Sequence, residues 1–230
     1  MIVDEKDKWE EVMSEGDYFD CGQDYTGDLL KRSTDKNMTD AALSGIGVMS
    51  GIHQGRYREG FFDITKDGKD WKMLEIGCGY GLYSAHFTRF VKEYVGVDVS
   101  ETIVNIGNKS LREANIRNAK LFVVRGCDLS FIPDNSVDFI FTGAVFIHTP
   151  LEVTRKYLEQ TYTKLRLGGR FLHHFNVCSL GIGIHESMQH VFTERELDEV
   201  FEGTLLNPTR RFDNDCYEEN QWMRYVYGVK

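Results

Sequence analysis

Residues Leu74 to Gly81 read Leu-Glu-Ile-Gly-Cys-Gly-Tyr-Gly, and they constrain the fold more than any other part of the chain. An apolar strand, Trp71 to Ile76, runs into Gly77, Gly79 and Gly81, and a helix-like stretch starts at Leu82. Glycines at alternate positions let the backbone turn sharply and approach a ligand closely, because no Cβ intervenes. The following helix aims its unpaired N–H groups at the same point. This is the anatomy of a nucleotide-type pocket at the end of a first parallel strand. A glycine-rich surface turn without a ligand is the plain structural alternative when such a motif stands alone. The residues downstream of Gly81 decide between the two.

Strand-like and helix-like stretches alternate from there. Leu82 to Lys92 carries Leu82, Ala85, Phe90 and Val91 at helical spacing. Tyr94 to Asp98 is a short buried strand ending in an acid, and Ser100 caps a helix to about Ala114. Leu121 to Val124 and Val137 to Phe141 read as the third and fourth strands. Leu151 to Leu167 reads as a helix closed by Gly168-Gly169 in left-handed geometry, and Arg170 to Phe175 as a fifth strand. Thr193 to Glu196 is a capping box opening a helix to about Glu202, and Gln221 to Lys230 is a last strand. The pattern predicts an α/β fold: a parallel sheet with right-handed crossovers, helices on both faces, and ligands at the carboxyl ends of the strands.

Composition narrows the ligand class. The formal net charge is −9, and the longest basic clusters are Lys31-Arg32 and Arg210-Arg211. That is too little positive charge to neutralise a run of phosphates, which argues against long nucleic acids as partners. No apolar run approaches the ~20 residues that span a bilayer, and the N-terminus is charged from Asp4 onward. The expectation is a cytoplasmic protein with no membrane partner, as a monomer or homodimer. Five cysteines are scattered without paired spacing, which fits free thiols and offers no metal site.

The pattern from Glu75 to Gly81 is E-x-G-x-G-x-G, whereas a dinucleotide fingerprint is G-x-G-x-x-G. With the acid Asp98, the acid Asp128, the passage Pro133 to Phe141 and the turn Leu165 to Phe171, it resembles the class I S-adenosylmethionine-dependent methyltransferases, in their small-molecule branch. The resemblance covers about residues 71 to 176. It implies a Rossmann-like seven-stranded sheet of order 3-2-1-4-5-7-6 with the last strand antiparallel. It also implies S-adenosylmethionine as cofactor, S-adenosylhomocysteine as product, and a domain from 71 to 230. Residues 1 to 70 would then be a lid over the site, or else a passive brace, and 177 to 190 a substrate-loop insertion. Gly77, Cys78, Gly79 and Gly81 would form the cofactor loop. Glu75 would accept loop N–H groups or a water near the cofactor ammonium. Asp98 would take the ribose hydroxyls, since a carboxylate accepts two donors at once. Asp128 would meet the adenine amino group, with Leu129 and Val99 along the ring; a surface-turn role is the alternative for Asp128. Gly143 and Ala144 fall in the segment that passes under the methionine end. Leucine at position 167 replaces the proline of the family's turn and leaves the site alone.

The resemblance implies methyl transfer to an oxygen, less readily a nitrogen, of a small polar metabolite in a biosynthetic or tailoring pathway. His148, just past the fourth strand, is the candidate general base, because neutral imidazole suits that task near neutral pH; lining the pocket is its alternative role. Asn176, His185, Tyr18 and Tyr25 are candidate acceptor-binding residues, with lid packing the alternative for the tyrosines. His173 and His174 point to opposite sheet faces, one of them a core histidine. His185, Glu186 and His190 lack the spacing that sets two histidines on one helix face, so no metal is expected. Two other classes stay open: a non-catalytic cofactor-binding module, and a nicotinamide-dependent oxidoreductase, which the glycine spacing opposes.

Overall fold

The computed structural model describes residues 66–81, 83–178, 190–218 and 221–230, so the expectations for Tyr18, Tyr25, His185 and the lid lie outside the described residues. One sheet organises them. Its strands are β1 (Lys72–Ile76), β2 (Glu93–Asp98), β3 (Ala119–Val123), β4 (Val137–Thr142), β5 (Leu165–Cys178), β6 (Val191–Phe192), β7 (Asn207–Glu218) and β8 (Gln221–Val229). Their order is β3-β2-β1-β4-β5-β8-β7, with β6 alongside β5. β1 to β5 run parallel, and β8 is antiparallel to both β5 and β7. The expected order and antiparallel last strand are therefore present. The two-residue β6 was not anticipated; it raises the strand count to eight and shifts the last two labels.

The central strands are apolar because helices cover both faces. Along β1, Leu74 and Ile76 enter one core with Val95, Val97, Ile140, Phe171 and Phe175. Met73 enters the opposite core with Tyr94, Phe139, Phe141, Leu172 and Tyr225. The strand period of two sorts them, and it also places Glu75 on the Met73 side.

Four helices complete the described part: α1 (Ser84–Phe87), α2 (Glu101–Glu113), α3 (Leu151–Lys164) and α4 (Glu194–Glu202). Ser100 caps α2 by accepting the Ile103 N–H, and Thr193 with Glu196 forms the expected capping box of α4. Two boundaries differ from the sequence reading. α1 stops at Phe87, because the N–H groups of Phe90 and Val91 both turn back to the Phe87 carbonyl. Lys92 N–H then already pairs with Trp71 at the sheet, at 2.9 Å. α3 ends at Lys164, and Leu165 is extended (ψ 135°) and pairs with Val137. Gly168 is left-handed as expected (φ 74°), but it forms an irregularity within β5 and does not cap the helix. Lys230 locks that irregularity by exchanging backbone hydrogen bonds with Gly168 and Gly169. Among the described residues, no helix is long and apolar enough to cross a membrane.

Candidate cofactor and acceptor site

The carboxyl ends of β2, β1, β4 and β5 lie side by side in that order, and the chemistry-bearing residues gather there. The loop after β1 is held by its own backbone. Gly77 and Cys78 both donate to the Val97 carbonyl of β2, and Gly81 N–H closes a turn onto Cys78 at 2.9 Å. The Ser84 backbone and hydroxyl then both donate to the Gly81 carbonyl, which ties α1 to the loop. Gly77 has φ 68°, and a Cβ there would lie 2.2 Å from Val145 Cγ2, so only glycine fits. Gly79 differs: among the described residues a Cβ there would meet nothing within 4 Å, so none of them closes the loop off at that point.

Asp98 ends β2 beside this loop. One carboxylate oxygen accepts the Gly79 N–H at 2.9 Å, and the other accepts the Ser100 N–H at 3.0 Å. These two bonds fix the carboxylate in place beside the loop, and each of its oxygens is an acceptor only. Ser100 takes the helix-capping role, which keeps Asp98 for the loop.

Glu75 is 1% exposed and receives the Tyr94 hydroxyl. Burial, with Asp98 nearby, pushes its carboxyl well above the usual range. Its described partner is therefore Tyr94 of the neighbouring strand β2. The Cys78 side chain packs beneath Gly96 and donates to the Gly79 carbonyl at 3.4 Å, and burial raises its thiol pKa.

Asp128 lies exposed after β3, and the Ser130 backbone and hydroxyl lower its pKa. Leu129 departs from expectation. It is 0% exposed, and its N–H is taken by Gln160 at 2.9 Å, so it offers no surface to a purine. Val99 and Cys127 are partly exposed at the edge of the same core.

Past β4, Gly143 is half-buried and Ala144 exposed, with Ala144 left-handed at φ 56°. Its N–H donates to His174 Nδ1 at 3.0 Å. His148 is half-buried on the next turn, where its N–H reaches the Val145 carbonyl at 2.9 Å, and its ring lies close enough to His174 to oppose that ring's protonation. His173 and His174 are both buried, where one core histidine was expected. His173 Nδ1 meets Thr142 Oγ1 at 3.1 Å among Phe146 and Phe171, and His174 stacks on Tyr225 at 4.7 Å. Burial lowers both imidazoles to a pKa of about 3. Tyr83 packs edge-on to Phe141 on the same side as Tyr225, and burial raises its hydroxyl pKa. Asn176 is half-buried where β5 pairs with both β6 and β8.

The structure thus brings the glycine loop, Asp98, Ala144 and His148 to one edge. Sequence reasoning missed Tyr83, Tyr225 and the Ala144–His174 bond. Tyr83 comes soon after the glycine triplet and was within reach of the motif; Tyr225 carries no local signal.

Comparison with known proteins agrees with this architecture. Residues 73–169 match the family described as "Methyltransferase domain". An uncharacterized methyltransferase of Schizosaccharomyces pombe is 37% identical over 169 residues, covering 63% of this chain and 58% of that protein. A demethylmenaquinone methyltransferase of Listeria welshimeri is 25% identical over 118 residues, covering 50% of this chain and 49% of that protein. The chain spans about half the length of these relatives. The geranyl diphosphate C-methyltransferase of Streptomyces coelicolor A3(2), solved with Mg2+, geranyl diphosphate and S-adenosyl-L-homocysteine, superposes with a TM-score of 0.64 at 12% identity, covering 85% of this chain and 86% of that one.

Proposed function

We propose, from the match of residues 73–169 to a methyltransferase domain and from the strand order, that this chain is a class I S-adenosylmethionine-dependent methyltransferase that methylates an oxygen of a small polar metabolite. One observation carries the cofactor reading: Asp98 of β2 reaches across to Gly79 N–H at 2.9 Å, at the point where none of the described residues closes the loop off. A ribose set there meets a carboxylate fixed in place by the Gly79 and Ser100 N–H groups, and glycine leaves room for the adenosyl group to lie against backbone. Bound S-adenosylmethionine supplies a methyl group on a sulfonium leaving group. The chain's task is then to orient the acceptor and exclude water, and orientation alone is worth as much as ~7–11 kcal/mol of barrier.

Asp128, exposed beyond β3, is suited to the adenine amino group, with Val99 and Cys127 against the ring. Gly143 and Ala144 would line the methionine end. His148 takes the acceptor's proton, and Asn176 contacts the acceptor. The net charge of −9 favours a small acceptor over a polyanion.

Carbon is the second acceptor to test, because the Streptomyces structural neighbour is named a C-methyltransferase. Product analysis with isotopically labelled methyl donor separates carbon from oxygen attachment.

Calorimetry with S-adenosylhomocysteine on the full chain is the first test. Binding is expected, with a loss of about a hundredfold in Asp98→Ala, the scale of severing charge-assisted hydrogen bonds. No binding by the unsubstituted protein overturns the reading. Once an acceptor from a screened set releases S-adenosylhomocysteine, His148→Ala should slow turnover and spare cofactor affinity. Full activity in that variant removes His148 as base.

A further inference from the structure

Ala144 adopts a left-handed conformation (φ 56°) on the exposed turn after β4. A residue with a Cβ pays on the order of 1–2 kcal/mol for that geometry, so something must hold it there. Its N–H points back into the protein and donates to His174 Nδ1 at 3.0 Å. His174 is 3% exposed and stacks on Tyr225 with 14° between the rings. Tyr225 faces His174 directly in the β5–β8 register. The turn after β4 is thus anchored through an imidazole to the antiparallel strand β8.

That anchoring bears on the site. Val145, the next residue, fills the space above Gly77, where a Cβ would lie 2.2 Å from it. The backbone at Ala144 therefore sets how Val145 presses on the glycine loop. β2 and β4 flank β1, so Asp98 and Ala144 stand roughly two strand spacings, ~10 Å, apart. A ligand with its sugar at Asp98 that crosses the loop ends at Ala144.

We propose that His174 is a positioning residue for the amino-acid end of the cofactor, acting through the Ala144 amide; this rests on the cofactor reading above. Because Nδ1 accepts the amide proton, the neutral ring carries its own proton on Nε2. Burial keeps the ring neutral, and thus keeps that lone pair available. The role belongs to the Nδ1 acceptor and not to the bulk of the ring.

Two substitutions separate those properties. In His174→Asn, Oδ1 replaces the Nδ1 acceptor; His174→Gln extends its polar group to the far end of the ring and loses the acceptor beside Ala144. Thermal melting first identifies which variants are folded, and calorimetry then compares S-adenosylhomocysteine with methylthioadenosine, which lacks the amino-acid end. His174→Gln should bind S-adenosylhomocysteine about tenfold more weakly and methylthioadenosine unchanged, while His174→Asn retains both affinities. If Gln does not fold, Ala144→Pro, which deletes the amide proton and forbids the positive φ, should give the same selective loss. Equal loss of both ligands, or no loss of either, overturns the proposal. If the unsubstituted protein binds neither ligand, the cofactor reading itself falls and takes this inference with it; if it binds both and the variants show no selectivity, the inference alone fails.

Discussion

The β1–β2 end of the site and the β4–β5–β8 end are built in different ways. At the first, the contacts run between backbone and the side chains of one short βαβ stretch: Gly77 and Cys78 to Val97, and Gly79 to Asp98, 19 positions away. At the second, Thr142 meets His173 across 31 positions, Ala144 meets His174 across 30, and His174 rests on Tyr225 of the antiparallel strand. The first end is polar and half-exposed, with the Asp98 carboxylate held by backbone N–H groups. The second is dry, with imidazoles held neutral by burial. A loop that contacts a ligand through its backbone can be specified locally. A wall built from distant strands is assembled only when late parts of the chain come together.

The largest effect is expected where the two ends touch. Gly77→Ala combines a left-handed φ with a Cβ 2.2 Å from Val145 Cγ2. Strain and overpacking together should cost about 2–5 kcal/mol, read from denaturant unfolding. Adding Val145→Ala should recover only the packing share. If Gly77→Ala unfolds at the same denaturant concentration as the unsubstituted protein, the two ends are not pressed together as described.

A smaller effect tests the dry end by pH. His173 and His174 have folded-state pKa values of about 3, below the unfolded imidazole value of about 6.5. For such groups the unfolded chain binds the proton first. Their contribution is intact above about pH 6.5 and is lost as pH falls from there towards 3, by up to about 1.4 kcal/mol per pH unit for each ring. Unfolding free energy measured from pH 7 to 5 should drop accordingly, and His174→Asn should reduce the slope. A flat profile would show that these rings are not kept neutral by burial.

The smallest effect belongs to Glu75 on the first end. Its carboxyl is raised by burial and by Asp98. The folded state therefore prefers the proton, a preference that favours folding below the unfolded carboxylate pKa and disfavours it as pH rises through the folded value. Glu75→Gln keeps an acceptor for Tyr94 and removes that penalty, so it should raise stability at pH 7 by on the order of 1 kcal/mol. A loss of stability would mean that Glu75 is ionised and paired in the fold.

Much of the first end was legible in the residues. The alternate glycines and Asp98 sit next to strand ends, and a strand end followed by a tight turn is recognisable from a few consecutive positions. Ser100 and Thr193 declared their caps for the same reason. Leu129 misled because its neighbour Asp128 is exposed: in an irregular loop no period tells which side chain turns inward, and Gln160 of a distant helix settled it. Gly168-Gly169 misled because two glycines suit a helix end and a strand irregularity equally, and pairing with the terminal Lys230 chose between them. Both histidines of β5 are buried, His173 against Phe146 and Phe171 and His174 against Tyr225 and the turn after β4, which alternation alone does not reveal.

From the amino-acid order came the βα alternation, the turn that only glycine can make and the acid placed to face it, because each depends on backbone sterics and on neighbours within one short unit. The partners of His174, the inward turn of Leu129 and the contact between Val145 and Gly77 came from packing. They depend on which strands lie side by side and in what register, and that is fixed by the burial of the whole sheet between its helices.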